Sequence, residues 1–182
     1  LQEAAMLTTY CLSKSPSTKV CITGFSWGAA MSSCAASVAL LGASEAEGKR
    51  IACAPYVGSA SPVVMADGLL ESSIDWKALS TGKQDCSAEK ALYDELNQTQ
   101  LSMLTAPLNT TKSLGAVHVA CTFHDYFIRR RYANDFVQQL RALAPKIEVS
   151  WLPGGHIFAM TLRPFLHKRL VEQTVKALEK AE

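Results

Sequence analysis

A stretch without any charged side chain, residues 20–44, limits how this chain can fold. Such a stretch is expected to be buried, either in a membrane or against other parts of a protein. It is rich in serine and threonine and is interrupted at Gly24 and Gly28, unlike the ~20 predominantly apolar residues of a spanning helix. We therefore expect no transmembrane segment. The pattern predicts a buried strand at 19–23 and a helix at 27–41 that is covered on nearly all sides.

The rest of the chain alternates between strand-like and helix-like patterns. Further strands are predicted at residues 51–56, 117–123 and 147–152, and further helices at 3–12, 132–144 and 163–180. This alternation is typical of βαβ units around a mostly parallel sheet.

Residues 60–115 lose the strand pattern and contain only helical pieces, at 64–70, 76–79 and 88–104. We therefore predict an α/β fold in three parts. A first core part covers residues 1–59, a helical cap-like insertion covers 60–115, and a second core part covers 116–182.

Composition excludes several classes of protein. Of 182 residues, 48% are apolar and 19% charged, which argues against intrinsic disorder and suggests that other protein covers part of the surface. A balance of 18 Lys and Arg against 16 Asp and Glu argues against a nucleic-acid binder. No CxxC pair occurs among the six cysteines, so buried free thiols and a reducing, intracellular compartment are favoured over a disulfide framework or a zinc site. The run Arg129-Arg130-Arg131 is expected to be a solvated stretch rather than a phosphate site.

The segment Gly24-Phe25-Ser26-Trp27-Gly28 joins the first predicted strand to the helix that follows it. So tight a turn is expected to need both glycines, because a side chain at either position would collide with the opposing backbone. It would expose the Ser26 hydroxyl and point the backbone N–H of Trp27 at a developing oxyanion. The alternative is an ordinary turn that happens to contain a serine.

A nucleophilic serine needs a base, and the base needs an acid that orients it. His156, in a Gly154-Gly155-His156 loop after the fourth strand, is the candidate base, and Asp125, just past the third strand, is the candidate acid. Asp135 is a rival acid, but it lies within a predicted helix. The remaining histidines are expected in structural, solvated or neighbouring roles: His118, His124 and His167.

Four segments carry a resemblance to a known family. They are residues 22–28, the strand end Ala54-Pro55, residues 63–79 with Gly68, Leu69, Leu70 and Trp76, and residues 151–156. With Ser26, Asp125 and His156 in that order, the chain resembles the carboxyl-terminal half of an α/β-hydrolase, and more narrowly the family of α/β-hydrolase domain-containing protein 18. It departs from that family at Trp27, where methionine is common, and at Ala29-Ala30, where a Gly-His pair is common.

The resemblance implies hydrolysis of an acyl ester by Ser26, His156 and Asp125, with Trp27 in the oxyanion hole. The inserted segment would cover the site. Its apolar residues would suit a lipid acyl chain, although ordinary packing against the core is the favoured explanation for them: Val63, Val64, Met65, Leu69 and Leu70. No nucleotide loop, metal cluster or base-stacking platform is present, so no cofactor and no metal are expected.

Ser26 has room for only one helix and one strand ahead of it. Hydrolases of this type place several strands there, and one of them pairs with the nucleophile strand. An unpaired apolar edge favours aggregation, so we expect upstream residues or another chain to pair with Lys19 to Thr23. The second oxyanion donor would come from the same missing half. The alternative function is therefore a hydrolase-like structural subunit of a larger assembly, for which the resemblance points to mitochondria.

Overall fold

The computed structural model describes residues 1–80, 88–98, 100–102 and 112–180, without the side chains of Leu69 and Lys180. Its strands are β1 Val20–Phe25, β2 Ile51–Tyr56, β3 Ala116–Thr122 and β4 Ile147–Leu152. The first helices are α1 Gln2–Lys14, α2 Trp27–Gly42, α3 Glu45–Gly48, α4 Trp76–Leu79 and α5 Ala88–Asn97. The later ones are α6 Arg130–Leu140, α7 His156–Thr161 and α8 Arg163–Lys180, and a π-helical turn spans Met65–Leu69.

The four strands form one parallel sheet in the order β1-β2-β3-β4, flanked by helices. Phe25 lies opposite Tyr56, and Tyr56 lies opposite Ala120. Because the strands are parallel and in this register, their carboxyl ends meet at one edge of the sheet. Every residue of β2 and β3 is buried, so the core surrounds the two middle strands. The predicted α/β class with a parallel sheet is confirmed.

Several element boundaries differ from the prediction. Helix α6 begins two residues earlier and ends four residues earlier than predicted. Helix α3 was not predicted, although Ser44 and Glu47 form a capping box at its start. Helix α7 was not predicted either, so His156 is the first residue of a helix and not part of a loop. The three-part division of the chain stays a prediction, because residues 81–87, 99 and 103–111 lie outside the described residues.

One side of α2 is open, which corrects the prediction that the helix is covered on nearly all sides. The sheet and α1 pack on it and bury residues such as Ala36 and Leu40. Trp27, Met31 and Leu41 nevertheless remain 50%, 38% and 38% exposed. Within the described ranges, no helix is long and apolar enough to span a membrane.

Strand β1 is one of the two edge strands of the described sheet, β4 being the other, and its side chains are only half-buried or exposed. In the part of the chain that the structure describes, β2 alone pairs with it. The expected partner on its other edge stays a prediction.

The cysteines within the described ranges are free thiols: Cys11, Cys21, Cys34, Cys53 and Cys121. Burial raises the pKa of Cys53 and that of Cys121 to about 12, which suits thiols that serve as small apolar core residues. Cys86 lies outside the described residues.

Candidate active site

Ser26 occupies the sharp turn between β1 and α2. Its backbone φ of 55° lies in the left-handed region, which residues other than glycine seldom adopt. Three backbone hydrogen bonds hold it there: its N–H donates to the Tyr56 carbonyl at 2.9 Å, and its carbonyl accepts from the N–H groups of Ala29 and Ala30 at 2.9 and 3.4 Å. The turn therefore places the half-buried Ser26 side chain at the carboxyl edge of the sheet.

The two glycines of the turn are not equivalent. A Cβ atom on Gly24 would lie 2.0 Å from the carbonyl oxygen of Gly28, an impossible contact with backbone. A Cβ atom on Gly28 would meet nothing within 4 Å. The expectation that both glycines avoid a collision is therefore correct for Gly24 and wrong for Gly28, because it is the backbone of Gly28 itself that occupies the space beside Gly24.

The end of β2 holds a second strained residue close to this turn. Val57 has φ 54°, which is uncommon for a β-branched residue, and its N–H donates to the Ala120 carbonyl at 2.7 Å. Gly58 follows, and a Cβ atom there would lie 2.7 Å from the Cβ of Ala29. Helix α2 and the end of β2 therefore approach each other closely beside Ser26.

Asp125 follows β3 and accepts hydrogen bonds on both carboxylate oxygens. The Thr122 hydroxyl donates to Oδ2 at 2.8 Å, and the backbone N–H groups of Phe127 and Ile128 donate to Oδ1 at 2.9 Å each. Burial, which leaves 1% of the side chain exposed, acts to raise the pKa of Asp125. The hydrogen bonds from His156, Ile128 and Thr122 outweigh it, so this pKa lies below its usual value and the group is an anion at neutral pH.

Two glycines bring His156 up to Asp125. Gly154 has φ +78°, and a Cβ atom on Gly155 would lie 2.3 Å from the carbonyl oxygen of His124, so the two loops touch through backbone. The rings of Phe25 and Phe127 flank the imidazole, with centroids 5.4 and 5.3 Å away.

Helix α7 is fixed to the sheet as well. The hydroxyl of Tyr56 donates to the carbonyl of Ala159 at 3.2 Å. The imidazole of His156 is therefore held by the glycine loop that precedes it, by two rings and by the helix that it begins.

His156 bridges the other two side chains. Its Nδ1 lies 3.0 Å from Oδ2 of Asp125, and its Nε2 lies 2.8 Å from Oγ of Ser26. An ionised carboxylate only accepts hydrogen bonds, so Nδ1–H is the donor to Asp125. Nε2 then carries the free electron pair of the neutral ring and accepts the hydrogen bond from the Ser26 hydroxyl. A base aligned in this way can take the proton from Ser26.

The structure thus brings together Ser26, Asp125 and His156, with Trp27, Gly24 and Gly28 in the adjoining turn. The rival acid, Asp135, instead accepts a hydrogen bond from Gln139. Two other histidines form hydrogen bonds away from this site. His118 is bonded to the Ser150 hydroxyl, and His167 is bonded to the Thr23 hydroxyl.

Sequence reasoning missed the groups that hold Asp125: the Thr122 hydroxyl and the N–H groups of Phe127 and Ile128. A hydroxyl residue at the strand end, three residues before the acid, is the signal that could have indicated Thr122. No group of three or more metal-ligating side chains occurs among the described residues.

A cavity of about 90 Å³ adjoins the Ser26 hydroxyl. The first part of the predicted insertion helps to line it through Val64 and Met65. Of the other apolar residues expected there, Val63 is buried and Leu70 is exposed, and the side chain of Leu69 lies outside the described residues.

Ion pairs connect the π-helical turn to the beginning of α6. Arg129 pairs with Asp67 and Glu71, and Arg131 pairs with Asp67. The arginine run is therefore not simply a solvated stretch, because two of its members hold the segment that lines the cavity.

Two crystal structures of the Pyrococcus furiosus esterase Pf2001 are similar to this chain. The form in space group P212121 matches with a TM-score of 0.53 and 16% identity, over 98% of this chain and 62% of that chain. The form in space group C2221 matches with a TM-score of 0.52 and 14% identity, over 98% of this chain and 60% of that chain. A Pyrococcus horikoshii acylaminoacyl peptidase matches 84% of this chain and 22% of that chain, with 14% identity and a TM-score of 0.47.

At this identity the similarity shows the fold alone, a parallel sheet flanked by helices. The chain spans less than two thirds of the length of the esterase. No protein-family model and no curated protein sequence matches the chain.

The glycine geometry yields a matched pair of variants. We expect Gly24→Ala to lower the free energy of unfolding by about 1–3 kcal/mol or more, because backbone must move to make room for the methyl group. Gly28→Ala should leave that free energy unchanged or raise it by up to about 1 kcal/mol, because alanine favours helix and meets open space. Chemical denaturation measures both, and equal losses in the two variants would contradict the geometry.

The lowered pKa of Asp125 predicts how stability depends on pH. Ionised Asp125 stabilises the folded state above its ordinary pKa of 3.8, and this contribution disappears as the pH falls through the lower pKa of the folded state. The difference in unfolding free energy between the wild type and Asp125→Asn should therefore be large at neutral pH and shrink below 3.8. Denaturation across this range tests it, with Asp135→Asn as the control for an exposed carboxylate. A difference that is independent of pH would refute the assignment.

Proposed function

We propose that this chain carries the catalytic residues of a serine hydrolase that cleaves carboxylic esters. The observation that carries the proposal is the continuous hydrogen-bond chain from Asp125 through His156 to Ser26, at 3.0 and 2.8 Å. The sharp turn at Ser26, its place at the carboxyl edge of a parallel sheet and the adjoining apolar cavity also support it.

In the proposed reaction, Oγ of Ser26 attacks the ester carbonyl carbon while Nε2 of His156 takes its proton. Asp125 keeps the proton of Nδ1 in place and stabilises the imidazolium that forms. The carbon–oxygen bond to the alcohol then breaks, and His156 passes its proton to the leaving oxygen. His156 next takes a proton from a water molecule, whose oxygen attacks the carbonyl carbon of the acyl-serine. The bond from this carbon to Oγ of Ser26 then breaks, the acid is released, and the proton from His156 restores the hydroxyl of Ser26.

The backbone N–H of Trp27 is the proposed oxyanion donor. It belongs to the first residue of α2, and the N–H groups of a first helical turn have no acceptor within the helix. The amino end of α2 also favours negative charge at this point. A second donor would come from residues that complete the fold, and loss of one such donor costs about a hundred- to a thousandfold in turnover.

We propose in addition that a further strand, from upstream residues or from another chain, pairs with β1. The N–H groups of Val20 and Ser26 both point to β2, donating to Arg50 and Tyr56 at 3.0 and 2.9 Å. Successive residues of a strand direct their backbone N–H groups to opposite sides, so the N–H groups of Cys21, Thr23 and Phe25 point to the outer edge.

This open edge also favours the second candidate function, a hydrolase-like structural subunit of a larger, mitochondrial assembly. The proposal of a serine hydrolase includes a lipid ester as its substrate. We also propose that the chain belongs to the family of α/β-hydrolase domain-containing protein 18 and that it lies in a reducing intracellular compartment.

The serine assignment predicts a covalent label. Native protein treated with a fluorophosphonate should gain one adduct, at Ser26. The variant Ser26→Ala should take no label, and its ester turnover should fall at least about a thousandfold. Ser37 is a buried serine of α2 whose hydroxyl donates to the Ser33 carbonyl, and the control variant Ser37→Ala should keep both the label and the turnover. Labelling that persists in Ser26→Ala would exclude Ser26 as the nucleophile, and an unlabelled but folded native protein would favour the structural subunit.

The edge proposal predicts a pattern of amide exchange along β1. In the native protein, the outward N–H groups of Cys21, Thr23 and Phe25 should exchange with solvent as slowly as the inward ones of Ile22 and Gly24, because a neighbouring strand protects them. Hydrogen exchange read by NMR separates the two sets, and the inward set is the internal control. Fast exchange confined to the outward positions would show that the edge is open.

A further inference from the structure

Two larger cavities share lining residues with the small cavity at Ser26, and none of the described residues lines both of the larger ones. Toward the beginning of α7, a groove of about 240 Å³ shares Phe127 and His156 with it. Toward the open side of α2, a cavity of about 550 Å³ shares Trp27, Ala30 and Ser61 with it. A molecule that reacts at Ser26 therefore has space in two separate directions.

The two spaces differ in size and lining. The larger lies against α2 and is mainly apolar, with Met31, Cys34 and Leu96 among its walls. Its volume falls within the roughly 300–1,000 Å³ of small-molecule sites. The groove is open and largely aromatic and apolar, and exposed side chains line it: Tyr126, Ile157 and Phe158.

The cavity at Ser26, with about 90 Å³, is the smallest of the three spaces. An extended acyl chain whose carbonyl lies at Ser26 would therefore continue into a neighbouring one.

Proton transfer decides which part of an ester goes to which side. Nε2 of His156 must reach the oxygen of the leaving alcohol to protonate it, so the alcohol lies on the side of His156. The acyl part then extends the other way, past Trp27 and Ala30. Resting on the function proposed above, we propose that the substrate is an ester of an extended apolar acid with an apolar alcohol. Its acyl chain occupies the 550 Å³ cavity and its alcohol occupies the groove beside Tyr126.

Ala30 is the proposed determinant of acyl length. It lines both the small cavity and the large one, so its methyl group borders the passage between them. It lies one helical turn after Ser26, and its backbone N–H donates to the Ser26 carbonyl at 3.4 Å, whereas its methyl group makes no hydrogen bond. A larger side chain at this position would narrow the passage toward the larger cavity.

Two ester series test the orientation on the native protein. Acyl length is varied from p-nitrophenyl acetate to p-nitrophenyl decanoate, and alcohol size from ethyl decanoate to naphthyl decanoate. The wild type should prefer decanoate to acetate. Ala30→Phe should lower the ratio of kcat/KM for p-nitrophenyl decanoate to kcat/KM for p-nitrophenyl acetate at least tenfold. Leu41→Phe, on the same helix but away from both cavities, should leave this ratio unchanged.

The alcohol side is tested by Tyr126→Ala. This variant should reduce the preference for naphthyl over ethyl decanoate and leave the ratio of p-nitrophenyl decanoate to acetate unchanged. If instead Ala30→Phe changes the alcohol preference and Tyr126→Ala the acyl preference, the orientation is reversed and the proposal is wrong. Equal effects of Ala30→Phe on both acyl lengths would also overturn it.

The two proposals fail in different ways. Ester turnover and labelling of Ser26 without these selectivities overturn the substrate orientation alone. A folded native protein that hydrolyses no ester and takes no fluorophosphonate overturns the proposed function, and the orientation with it.

Discussion

The carboxylate of Asp125 organises the site, because four hydrogen bonds converge on it. Thr122 and the N–H groups of Phe127 and Ile128 fix its position, and they fold the loop after β3 around it. His156 makes the fourth bond and thereby presents its other nitrogen to Ser26. A buried carboxylate without these donors would be costly, so the loop and the negative charge stabilise each other.

Backbone geometry brings the distant segments together. The parallel register puts the carboxyl ends of β1, β2, β3 and β4 at one edge, and Ser26, Asp125 and His156 each follow a strand end within about four residues. Strain is concentrated there, at Ser26 and Val57, which both have positive φ. Close approach of backbone to backbone at Gly24 and Gly155 removes the space that a side chain would need. The cost of these conformations is offset by the buried core of β2 and β3.

Much of this arrangement could be predicted from the sequence. The carboxyl ends of parallel strands lie at one edge of the sheet, independently of the loops that follow them. Asp125 and His156 each come just past a strand and were therefore expected near Ser26. The open space around Gly28 and the ion pairs of Arg129 and Arg131 could not be predicted, because they depend on atoms from remote segments. Helix α7 was missed because six residues are too few to show a helical period. The exposed side of α2 was missed because lack of charge does not reveal which face is covered.

The claim on which the rest depends is that the Nδ1–H group of His156 donates a hydrogen bond to the carboxylate of Asp125. Proton NMR of the imidazole N–H groups tests it most directly, with the ring nitrogens labelled with ¹⁵N. We predict a far-downfield Nδ1–H resonance from His156 that exchanges slowly with solvent and moves upfield in Asp125→Asn, while the signals of His118 and His167 stay in place. A resonance of His156 at the same position in the wild type and in Asp125→Asn would contradict the account.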